Sequence, residues 1–63
     1  MEIRIGKMSF PIVSVGIGDN DDILIIFKNG DKLFAQSVNT RSIAQLKFKD
    51  GKIMWGNKTV KFI

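Results

Sequence analysis

Residues 23–36 read ILIIFKNGDKLFAQ, an apolar run, an Asn-Gly reversal signal and a second apolar run. Asn29-Gly30 suits the positive φ angles of a type I′ turn, whose twist matches that of paired strands. The stretch predicts a central β-hairpin with Lys28 opposite Asp31, Ile26 opposite Leu33 and Leu24 opposite Ala35. One face then carries Leu24, Ile26, Leu33 and Ala35. The other carries Ile23, Ile25, Phe27 and Phe34. Both faces are apolar, so both need cover, either from the chain closing on itself or from another protein.

Upstream, residues 1–8 alternate, with Ile3 and Ile5 on one face and Glu2 and Arg4 on the other, as in a half-buried strand ending near Gly6. Pro11 lacks the N–H of a ladder and predicts a break at Ser9-Phe10-Pro11. Ile12 to Ile17 reads as a second strand, with Val13, Val15 and Ile17 on one face and the small residues Ser14 and Gly16 on the other. Gly18 to Asp22 (GDNDD) is a polar loop. Its carboxylates suit a hard cation, but their spacing is not that of an EF-hand, and Asp, Asn and Gly are ordinary turn residues.

Downstream, SVNTRS (residues 37–42) is a polar connector that admits one helical turn near residues 40–45, capped by Thr40 or Ser42, ahead of a strand from about Ala44. A second hairpin turns at Asp50-Gly51 and pairs Phe48 with Ile53 and Leu46 with Trp55. A further turn at Gly56-Asn57 or Asn57-Lys58 leads into Thr59 to Ile63. Either choice leaves Val60 and Phe62 on the core face beside Ile53 and Trp55. The likeness of FKNGDKLF to FKDGKIMW reflects shared turn chemistry rather than a repeat.

The expected architecture is all-β: one domain over residues 1–63, an antiparallel meander of six to seven short strands. It would curl into a small SH3-like barrel or a bent sheet. Sixty-three residues lie near the lower limit for independent folding, so the core is small and self-association into a homodimer would relieve it.

The run IVSV…DDILIIFKNGDK, followed by LKFKDGKIMWGN, resembles a small bacterial family of uncharacterised β-rich domains over roughly residues 12–57. Shared features are a Val-rich opening strand, a strand ending in Phe-x-Asn/Asp-Gly and a Gly-x-x-x-Trp-x-Asn element. The chain departs from that pattern in a shortened connector (residues 37–45) and in lacking a proline next to the Trp. The resemblance implies a β-rich or α+β module and transfers no site residues.

Several functional classes are disfavoured by composition. The chain has no Cys and no His, which removes disulfides, thiolate zinc sites, the commonest general base and the Ser-His and Cys-His pairs. No phosphate loop or nucleophile elbow is present. The expectation is a non-enzyme without metal or cofactor. No apolar run approaches a membrane span and the N-terminal residues show no signal-peptide pattern, so a cytoplasmic protein is expected.

Two surfaces remain. The net charge of +4 is uneven: residues 1–22 carry −2 and residues 23–63 carry +6. Lys47, Lys49, Lys52 and Lys61 share the outer face of the C-terminal hairpins and form a candidate polyanion site. The second face of the central hairpin, Ile23, Ile25, Phe27 and Phe34, is a candidate protein interface. A protein-binding accessory, inhibitor or adaptor module is the leading expectation. Nucleic-acid binding through the lysines is the alternative, weakened because Phe48, Trp55 and Phe62 are expected in the core rather than free to stack on bases.

Overall fold

A computed structural model describes all of residues 1–63. Seven strands follow one another: β1 (Glu2–Ile5), β2 (Met8–Gly18), β3 (Ile23–Asn29), β4 (Lys32–Ser37), β5 (Ile43–Lys49), β6 (Lys52–Trp55) and β7 (Lys58–Phe62). Each pairs antiparallel with the next, and β7 also pairs with β2. Strands β2 to β7 therefore close a hydrogen-bonded ring of six, with β1 attached outside it. The meander is a barrel.

Closure depends on a bare stretch of β2. Gly16 lies opposite Leu24 of β3 and Phe62 of β7. A Cβ added there would come within 2.9 Å of Val60 Cγ1 and 3.2 Å of the Lys61 carbonyl oxygen. Only glycine lets β7 and the core approach so closely. The small-residue side of β2 thus faces inward, and Val15 and Ile17 face out.

The core is Leu24, Ile26, Ala35, Leu46 and Trp55, flanked by Leu33, Ala44, Ile53 and Val60. Trp55 braces it across strands: its indole N–H donates to the Ala35 carbonyl at 3.1 Å. A buried indole needs such a partner, and here it ties β6 to β4.

Three local expectations give way to tertiary packing. The central turn is Gly30-Asp31, flanked by the pair Asn29 and Lys32. Moving the turn by one residue moves every partner by two, so the side-chain faces are preserved while Phe27 now lies opposite Phe34. Their rings stack at 5.8 Å, whereas the Asn29-Gly30 register would set Phe27 against Lys32. The aromatic pair outweighs the turn preference.

Pro11, secondly, does not break the strand. It pairs with Glu2 of β1, and the β2–β3 ladder begins one residue later at Ile12. The Ile12 N–H donates to the Met1 carbonyl at 2.9 Å, so alternation turns the Pro11 nitrogen away from β1, where no donor is required. A bulge between Ile12 and Ser14 follows and leaves Val13 unpaired. Thirdly, no helical turn forms near residues 40–45, and β5 starts at Ile43. The fully buried Ser37 organises the connector instead, its Oγ accepting from the Thr40 N–H at 3.1 Å and its carbonyl from the Arg41 N–H at 2.8 Å.

The second hairpin keeps its expected register: Leu46 lies opposite Trp55, Phe48 opposite Ile53 and Lys49 opposite Lys52 around Asp50-Gly51. The next turn is Gly56-Asn57, between the partners Trp55 and Lys58.

Candidate functional site: an aliphatic and a basic half of the barrel surface

The outer surface divides in two. Across β2 to β5, register sets Val15, Ile25, Gln36 and Ile43 in one row, with Ile17 opposite Ile23 in the row beside it. Val38, just past β4, donates its backbone N–H to the Ile23 carbonyl and extends the group. Val15, Ile17, Ile23, Val38 and Ile43 are each 37–49% exposed. Five aliphatic side chains this open on adjoining strands form a contiguous patch, the usual mark of an interaction surface.

The four residues of the expected protein interface separate here. Ile23 is exposed and Ile25 half-buried at the centre of the patch. Phe27 is only 2% exposed, with Phe10 of β2 at 5.3 Å and Phe34 at 5.8 Å between ring centres. Phe34 is half-buried. Ile3, opposite Phe10 on β1, is also buried. The β1–β2 hairpin therefore covers the Phe27 end of this face and leaves the Ile23 end open. Phe27 belongs to a small second core, not to an accessible surface. Val15, Ile17, Val38 and Ile43 were missed because their place beside Ile23 depends on strand pairing and the connector path; Val15 and Ile17 already stood together on one face of their strand.

The other half is basic. Lys47 lies opposite Met54, which lies opposite Thr59, and Lys49 lies opposite Lys52. Lys61, two residues beyond Thr59 on β7, points to the same side, opposite Ile17. The four lysines do share the outer face of β5, β6 and β7. None of them is in an ion pair; the one pair in the chain joins Lys58 to Asp22 at 3.6 Å.

Two aromatic side chains expected in the core lie instead at one end of the barrel. Phe48 is 76% exposed and Phe62 40%. With Leu33, Leu46 and Ile53 they line an open groove of about 280 Å³, edged by Lys32 and Lys47. Phe48 occupies the correct face of β5 but sits next to the turn, past the end of the core. Strand alternation fixes a side chain's face, not whether anything lies above it.

The acidic loop is committed to the fold. The Asp19 carboxylate accepts from both the hydroxyl and the backbone N–H of Thr59, the latter at 3.1 Å. Asp22 accepts from the Asn39 side chain at 3.2 Å and pairs with Lys58. The Asp19 carboxyl is held below its ordinary pKa, chiefly by the Thr59 hydroxyl, then by the Thr59 N–H, with Lys58 and Lys52 adding to it. No three acidic side chains gather as a metal-holding group. The loop fastens β7 to β2 beside the barrel seam.

Comparison with protein-family models, with curated proteins and with solved structures returns no match.

Proposed function

We propose that this chain is a non-enzymatic binding module that acts by docking a protein partner on the aliphatic half of its barrel, with Ile23 at the centre. The observation that carries this reading is the exposure of Val15, Ile17, Ile23, Val38 and Ile43 on neighbouring strands. Leaving them in water costs free energy that a partner would recover, at about 25 cal/mol per Å² of apolar surface covered. A rigid, ring-closed sheet loses little conformational freedom on binding, which favours affinity. The absence of His and Cys from the sequence is consistent with an action by surface occupation alone.

One observation favours a second reading. Phe48 is widely exposed at the barrel end, on the opposite face of β5 from Lys49, and shares a groove with Phe62 that Lys32 and Lys47 edge. An open aromatic ring beside unpaired lysines is the combination that binds single-stranded nucleic acid by stacking and phosphate contact. Phe48, and in part Phe62, are open to stacking rather than hidden in the core.

Capture from the source cell at low salt, with and without nuclease, separates the readings. Under the first, a nuclease-resistant protein is retained by wild type and by the combined Lys47→Glu, Lys49→Glu and Lys52→Glu variant, and is lost with Ile23→Asp. Retention by a folded Ile23→Asp chain overturns the protein-docking reading. Under the second, nuclease releases the bound material, and affinity for a single-stranded oligonucleotide falls with salt by a log-log slope of about −0.7 per phosphate contacted. That binding is lost in the lysine variant and weakened in Phe48→Ala.

A further inference from the structure

The ring leaves one strand with a free edge. β1 pairs only with β2, and the Met1 carbonyl accepts from the Ile12 N–H. Backbone groups alternate along an antiparallel strand, so those of Met1, Ile3 and Ile5 point to β2 and those of Glu2 and Arg4 point outward. An unpaired edge of this kind is a template for another strand.

Sequence then decides which strand fits. A second β1 running antiparallel can bond only through the outward residues of both copies, Glu2 and Arg4. Three such registers exist. One sets Glu2 against Glu2, another Arg4 against Arg4, and each opposes like charges. The third sets Glu2 of each copy against Arg4 of the other. It alone uses both outward residues of each strand in ladder pairs, and it alone opposes unlike charges twice. It also places Ile3 against its own copy, extending the small core of Ile3, Phe10 and Phe27, and sets the fully exposed Met1 against Ile5. Glu2 and Arg4 are both exposed and neither is in an ion pair within the chain.

We infer that two copies of this chain join antiparallel along β1, Glu2 of each opposite Arg4 of the other, in a symmetric dimer. The occupant is a second copy because the stretch Met1 to Ile5 is complementary to itself in charge and in apolar pairing. The contact lies on a different surface from the aliphatic docking face and does not depend on it. Two short strands cover less than the ~800 Å² per partner of a standard stable interface, so association is weak and concentration-dependent.

Sedimentation and amide exchange from micromolar to millimolar concentration test this. Mass should rise from one copy towards two, and the Glu2 and Arg4 amides should become protected as it does. Glu2→Arg and Arg4→Glu should each weaken association about tenfold, since each reversal spoils two symmetric pairs. The double variant Glu2→Arg with Arg4→Glu restores both pairs and should recover wild-type association. These positions are exposed, and circular dichroism checks that each variant keeps its β structure. A single-copy mass up to millimolar concentration overturns the inference. A dimer abolished by Ile23→Asp and indifferent to the reversals, or a double variant as weak as the single ones, overturns it equally.

Discussion

Asp19 shows how one side chain holds the seam. Its carboxylate accepts two hydrogen bonds from Thr59 across the junction of β2 and β7, and both bonds favour the charged form. The folded chain therefore keeps Asp19 ionised at a pH where the unfolded chain, near the ordinary value of 3.8, is taking up a proton. A depressed carboxyl pKa contributes stability that is fully present above the unfolded value and is lost as pH falls through the folded one. The resistance of wild type to urea should exceed that of Asp19→Asn at neutral pH, and the gap should shrink on acidification below 3.8. Urea midpoints at a series of pH values measure it. A gap that stays constant down to the acid limit would show that the carboxylate's charge contributes nothing to the seam.

At the scale of the hairpin, two similar turn sequences take different turns. Asp50 and Gly51 both have positive φ, as a type I′ turn requires, and that register was legible from the residues alone. In the central hairpin Gly30 has φ +67° and Asn29 lies in the ladder opposite Lys32. The difference has a physical source. In the C-terminal hairpin the turn preference and the pairing of Leu46 with Trp55 agree, whereas in the central one the Phe27–Phe34 stack favours a slip. The faces of Ile23–Gln36, the strand order and most of the core were readable because alternation survives such a slip. What was not readable depends on contacts distant in sequence: the strand running through Pro11, the burial of Phe27 under Phe10, and the exposure of Phe48. Substitution separates the two registers. Gly30→Ala should cost about 1 kcal/mol, because a left-handed backbone disfavours a Cβ. Asn29→Ala should stay within about 0.5 kcal/mol, as for an exposed strand position. Equilibrium urea unfolding gives both values, and a cost at Asn29 equal to that at Gly30 would restore the Asn29-Gly30 turn.

For the whole molecule, the pairing of β2 with β7 converts a meander into a barrel. It joins residues 16–18 to 60–62, while the other ladders link strands adjacent in sequence. Ring closure removes two edges and leaves β1 as the free one. It also fixes the division of the surface, because β7 carries Lys61 up to Ile17 at the border between the basic and aliphatic halves. The border between the two halves therefore rests on the seam, and the seam rests on Gly16. Gly16→Ala would drive a methyl group against Val60 and the Lys61 carbonyl, in a space with no slack. Overpacking of this kind costs about 1–3 kcal/mol, a large share of the stability of so small a domain. Gly18→Ala is the control: its nearest contact would be Asp22 Cβ at 3.6 Å, an ordinary separation, and its effect should stay within about 0.5 kcal/mol. Amide exchange locates the damage. The Ile63 N–H, which donates to the Val15 carbonyl at 2.9 Å, should lose protection in Gly16→Ala before the β3–β4 amides do. Uniform loss across all strands would mean that the barrel opens only as a whole, and that its closing pair is no weaker than the hairpins.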